Sequence, residues 1–222
     1  MLPLRPVALT AALGLVASSA CTDPVTGDED ILAIGDSLLD FHTPDADIAT
    51  VAAEELGLSV ELAAYGGTTM LDEDGIPETY VDGSFSVLIA SGGGNDLGGC
   101  DCGGGCGDVL DALIAEDGSS GAIVDLVQRA VSDGKQVAWV GYMRPQPDAE
   151  EFADCTGELD VYRTRFAALD DALDDLVFID GVAIGSGSED ALYEEDGYHP
   201  SEAGSQALGL AVADAARQAF GL

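Results

Sequence analysis

Basic residues are almost missing from this chain. Its 222 residues include 7 Lys and Arg against 42 Asp and Glu, a formal net charge of -35, with a single lysine at Lys135. Such a surface repels the phosphates of nucleic acids and the headgroups of anionic membranes, which excludes both as direct partners. Histidine is also scarce: His42 and His199 are the only two. The apolar run Val7–Val16 is too short to span a bilayer as a mature helix. No internal repeat and no second-domain boundary interrupts the chain. The acidity reads as a solvated surface rather than as a set of metal sites.

What is present is a hydrophobic content of 47%, normal for a globular fold of one domain. Residues 1–20 read as an export signal: Arg5 near the start, an apolar stretch without acidic residues, then the small residues Ala17-Ser18-Ser19-Ala20. Cys21 follows at once and resembles the lipid-modified cysteine of bacterial lipoproteins, although Ser18 stands where that box usually carries Leu. Residues 21–30 then form the anchor cysteine and a polar tether, and 31–222 the folded domain. The expected location is the cell envelope, as a lipoprotein touching the membrane only through its anchor. The alternative is a soluble periplasmic or extracellular protein.

Within 31–222, short apolar runs alternate with helical patterns. Ile31–Ile34, Leu58–Ala64, Phe85–Ala90, Gln136–Tyr142 and Leu176–Asp180 read as strands. Asp45–Leu56, Asp108–Ala115, Gly121–Ser132, Glu158–Asp174 and Ser201–Phe220 read as helices, the first capped by Asp45 or Asp47 and stopped by Gly57. Residues 71–83 read as a solvated loop, since the spacing of Asp72, Asp74 and Gly75 fails the register of a calcium loop. Buried strands alternating with helices predict an α/β fold with a mostly parallel sheet covered on both faces.

Chemistry-bearing residues fall just past strand ends, where open α/β sheets build their sites. Ser37 follows the first strand in Gly35-Asp36-Ser37-Leu38, Gly66 and Gly67 follow the second, and Asn95 follows the third. Near the C-terminus comes Asp196-Gly197-Tyr198-His199-Pro200. A turn of that spacing brings the Asp196 carboxylate to the His199 imidazole, leaving the far ring nitrogen free to take a serine proton. His42, without such a setting, reads as a surface residue. Ser37 as nucleophile, His199 as base and Asp196 as orienter make a complete set for acyl transfer. The N–H groups of Ser37 and a glycine, with the Asn95 amide, supply the oxyanion donors. The G-x-S-x-G elbow of the α/β-hydrolases is absent, and Gly92-Gly93-Gly94 does not complete a dinucleotide fingerprint because Leu97 takes its last position.

These four blocks, in this order, resemble the SGNH hydrolases, also called GDSL esterases and lipases. The resemblance spans residues 31–205. It implies a single-domain, three-layer α/β/α sandwich of flavodoxin-like type with a central, mostly parallel five-stranded sheet. It implies a Ser37–His199–Asp196 triad, an oxyanion hole of Ser37, Gly66 (ahead of Gly67) and Asn95, supporting roles for Asp36 and Asp96, and no cofactor or metal. The implied reaction is hydrolysis of a short acyl or O-acetyl ester, small-molecule or saccharide, by a monomer. The alternative is an envelope binding module that keeps the fold and has lost turnover.

Gly98–Gly107 departs from that family pattern, with Cys100, Cys102 and Cys106 in one glycine-rich stretch. With Cys155 these cysteines can form two disulfides, favoured in an oxidising compartment over a four-thiolate zinc site. The pairing stays open. Gly141–Pro145 is expected to line the acyl or leaving-group pocket. Arg144 meets either an anionic group there or the acidic surface.

Overall fold

The computed structural model describes residues 24–100, 102–149 and 151–222. The export signal and Cys21 lie outside the described residues. Five strands, β1 (Ile31–Gly35), β2 (Val60–Ala64), β3 (Val87–Ala90), β4 (Gln136–Val140) and β5 (Leu176–Ile179), form one sheet in the order β2-β1-β3-β4-β5. Every pair is parallel. β1 and β3 are buried along their whole length, which explains why they read as unbroken apolar runs rather than as alternation.

Side chains alternate across the sheet and build two cores. Leu32 and Ile34 of β1 point into one core, with residues of the helices α5 (Gly107–Leu113), α6 (Ala122–Ser132) and α7 (Thr156–Asp170). Ile31 and Ala33 point into the other, against α2 (Ile48–Leu56) and α9 (Glu202–Phe220). Each fully buried Leu, Ile or Val contributes about 1.5–3 kcal/mol. The result is the expected three-layer sandwich.

Helix ends follow local chemistry. The Asp47 carboxylate accepts the Thr50 N–H at 2.8 Å to start α2, and Gly57 ends it at φ 71°. Ser201 caps α9 by accepting the Gly204 N–H. Four short helices, α1 (Ser37–Asp40), α3 (Ile76–Thr79), α4 (Gly94–Gly98) and α8 (Gly181–Ile184), are too brief for periodicity to show. Of these, α3 lies in the stretch expected as open loop, and it buries Ile76.

One expectation needs correcting. From Thr26 onward the polar stretch before β1 is not a free tether. The Glu61 carboxylate accepts the N–H groups of Thr26 and Gly27, the Gly27 carbonyl accepts the Phe85 N–H, and Asp30 pairs with Ser59. Val25 packs against the core. The stretch is polar in composition, yet its groups find partners on β2 and on the segments leading into β2 and β3.

Candidate active site

The sheet order reverses at β1, with β2 on one side and β3 on the other. Loops leaving the C-terminal ends of β1 and β3 therefore diverge and leave a crevice between them. Ser37 and Asn95 sit on its two sides. Asp36 is the N-cap of α1 and accepts the Leu38 N–H at 3.0 Å, which sets Ser37 at the first helical position.

His199 arrives from 162 residues away, with its Nε2 2.8 Å from Ser37 Oγ. Its Nδ1 lies 2.7 Å from Asp196 Oδ2. The other oxygen of Asp196 accepts the N–H groups of Tyr198 and His199, each at 3.0 Å, so the carboxylate closes its own turn. Burial works to raise the pKa of Asp196. The hydrogen bonds from His199 and from the two backbone N–H groups outweigh it and hold the carboxyl below its ordinary value. The ring stacks on Phe41, with centroids 4.0 Å apart and planes 18° from parallel.

The second wall is fixed to the first. Tyr142 donates to Asp36 Oδ2 and accepts the Gly94 N–H. A Cβ on Gly94 would stand 2.8 Å from the Tyr142 ring, so this approach requires glycine. Burial raises the pKa of Asp36 against the opposing hydrogen bonds from Tyr142 and Leu38. Asp96 accepts the N–H groups of Met70 and Leu71, tying α4 to the loop after β2. Asn95 Nδ2 donates to the Thr68 carbonyl at 2.8 Å.

The profile of the GDSL-like Lipase/Acylhydrolase family matches residues 33–207, from β1 into α9. The chain belongs to that family. It is thus a hydrolase of the esterase type. Solved structures share the fold at low identity. An SGNH hydrolase from Slackia heliotrinireducens is 20% identical with a TM-score of 0.61, covering 83% of this chain and 97% of its own. A carbohydrate acetylesterase family member from Sinorhizobium meliloti is 18% identical at TM-score 0.57, covering 86% and 99%. An inhibitor-bound aryl esterase from M. smegmatis gives the same figures: 18% identity, TM-score 0.57, and 86% and 99% coverage. Among curated proteins nothing matches.

In this GDSL-like acylhydrolase the crevice is a cavity of about 230 Å³ that reaches Ser37, Asn95 and His199. Tyr142, Met143 and Pro145 line it, as expected of the stretch after β4. Arg144 does not. Its guanidinium pairs with Asp160 at 2.5 Å, the surface alternative. Gly66 also differs from expectation. Its N–H donates to Asp40 Oδ2 at 3.0 Å, and Gly67 rather than Gly66 borders the cavity.

His42 is not a free surface residue either. It is half-buried, with Nε2 3.0 Å from the Pro200 carbonyl and 3.2 Å from Glu194, and so fastens the segment that carries His199. Cys100 pairs with Cys106 and Cys102 with Cys155, with Cα atoms 5.5 and 4.9 Å apart. Sulfurs so paired have no thiolate to offer zinc.

The sequence reading missed Phe41 behind the imidazole, and Phe152 and Leu159 in the cavity wall. No spacing signals a ring stacked across the fold. The nearest cue to Phe152 was its place three residues before the lone distant cysteine, Cys155. Among the described residues no helix is long and apolar enough to cross a membrane.

Proposed function

We propose that this protein is a serine esterase that works through an acyl-enzyme. One observation carries the reading: a single imidazole lies 2.8 Å from Ser37 Oγ and 2.7 Å from Asp196. Ser37 Oγ attacks the ester carbonyl carbon while its proton passes to His199 Nε2. Asp196 holds the ring with Nδ1–H facing it and stabilises the imidazolium. The Ser37 N–H, Asn95 Nδ2 and the Gly67 side of the glycine turn donate to the oxyanion. Each such donor is worth about 2.7–4 kcal/mol in the transition state.

The C–O bond to the leaving alcohol then breaks, and His199 returns the proton to that oxygen. Water attacks the Ser37 ester, giving its proton to His199, and the carboxylic acid leaves with Ser37 regenerated. The substrates are short acyl esters, O-acetyl groups on saccharides among them. On this reading the enzyme acts outside the cytoplasm as a monomer held to the cell envelope by a lipid on Cys21, with plain secretion as the alternative; the export pattern of residues 1–20 supports it. The test is hydrolysis of a short-chain nitrophenyl ester, together with labelling by a fluorophosphonate probe. Wild type turns over and labels, whereas Ser37→Ala does neither. Equal rates in the two proteins would sink the assignment.

A further inference from the structure

The cysteine-rich stretch is anchored more firmly than a surface loop requires. The two disulfides join it to itself and to the start of α7. The Glu158 carboxylate of α7, buried to 8% exposure, also accepts the N–H groups of Gly103 and Gly104 at 2.9 and 3.0 Å. Cys155, held by Cys102, lies at the end of a short 3-10 turn (Ala153–Cys155), and its N–H donates to the Phe152 carbonyl. Phe152 itself has φ 63°, a conformation a bulky residue keeps only when its surroundings impose it.

That backbone turns the Phe152 ring into the cavity beside Ser37. The Cε1–Cζ edge of the ring lies against Gly98, where an added Cβ would come within 2.9 Å of it. The ring also packs on Tyr198, the neighbour of His199, with centroids 5.0 Å apart. Other apolar walls are Leu38, Tyr142, Met143, Pro145 and Leu159, and the exposed Glu151 also borders the cavity. A cavity of about 230 Å³ is below the usual range for drug-sized ligands, roughly 300–1,000 Å³. Its volume suits a group of a few carbons, and its lining suits an uncharged one.

We propose that Phe152, fastened by the Cys102–Cys155 disulfide, is the specificity-determining wall of this esterase. It restricts one arm of the ester to a small, uncharged apolar group. The inference rests on the esterase reading above. Phe152 touches the substrate arm, and the disulfide acts through it as a positioning element.

The test compares two series of substrates: nitrophenyl esters with acyl chains from acetyl to decanoyl, and acetate esters of alcohols of increasing length. In one of the two series, wild-type kcat/KM falls by roughly tenfold or more per methylene once the cavity is full, the scale on which apolar pockets discriminate. Phe152→Ala and the milder Phe152→Leu move that fall to longer chains by at least two carbons. The Cys102→Ser/Cys155→Ser double variant broadens the profile in the same direction. A succinyl monoester, anionic at its far end, is a poor substrate for all of them.

Fluorophosphonate labelling of Ser37 separates the two failures. A labelled, folded Phe152→Leu protein with the wild-type profile in both series overturns the inference and leaves the esterase standing. Wild type that neither labels nor hydrolyses overturns both. A shifted profile in the Phe152 variants with an unshifted one in the disulfide variant overturns the role given to the disulfide.

Discussion

The hydroxyl of Tyr142 donates to Asp36 Oδ2 at 2.5 Å and accepts the N–H of Gly94 at 2.8 Å. One half-buried phenol thus joins the residue before Ser37 to the residue before Asn95. Burial, and then the facing Asp36 carboxylate, push the Tyr142 pKa well above its ordinary value, so it stays a hydrogen-bond donor across the working pH range. The two walls of the crevice hold their spacing through this atom.

Tyr142→Phe removes both bonds and leaves a buried carboxylate with the Leu38 N–H as its remaining partner of those three groups. The expected cost is about 1–3 kcal/mol of stability, from the groups left unpaired. Chemical denaturation measures it. The fall in kcat should exceed the change in KM, because the spacing of Ser37 and Asn95 matters most when the oxyanion forms.

Asp196 carries two effects. Asp196→Asn removes the charge that steadies the imidazolium and should lower kcat by roughly 10⁴-fold. Stability should respond to pH as well. The folded pKa of Asp196 lies below its ordinary 3.8, so its contribution is complete above that value and is lost as the pH falls through the lower folded value. Melting curves from pH 5 to pH 3 should show the gap between wild type and Asp196→Asn hold steady at first, then close at the acid end. A gap that opens there instead would reverse the sign of the effect.

Removing the Asp40 carboxylate tests which glycine serves the proposed oxyanion hole. The carboxylate now takes the Gly66 N–H at 3.0 Å. With Gly67 as donor, Asp40→Ala should leave kcat/KM within about threefold of wild type, as expected for the loss of one exposed hydrogen bond. A rise of tenfold or more in steady-state assays would move the donor to Gly66 and make Asp40 its competitor.

Phe41 backs the His199 ring but is not among the residues lining the cavity. Phe41→Ala should therefore lower kcat by about 3–10-fold with little change in KM, on the scale of about 0.5–1.5 kcal/mol for a ring pair. An increase in KM with kcat intact would place Phe41 against the substrate instead.

The strands and the long helices were legible because their signals are local. Apolar runs ending in Gly35 or Ala90, and the caps Asp47 and Ser201, depend on neighbours a few residues away. The Asp196–His199 contact is of the same kind, a three-residue turn closed by its own side chain. The short helices α3, α4 and α8 carry no such signal, because one turn of helix has no periodicity.

The amino-acid order alone determined an α/β chain with a serine, two glycines and an asparagine at successive strand ends, and a histidine preset by its aspartate. Tertiary structure decided the rest. It brought His199 to Ser37 across 162 residues and placed Phe41 behind the ring. It turned Arg144 away to Asp160, occupied the Gly66 amide, paired Cys102 with Cys155, and set Phe152 as a wall beside the serine. Each of these contacts joins segments whose separation depends on the order of strands in the sheet and on which face each helix covers. Residue spacing along the chain encodes turns and faces, whereas contacts between distant segments exist only once the two cores have packed.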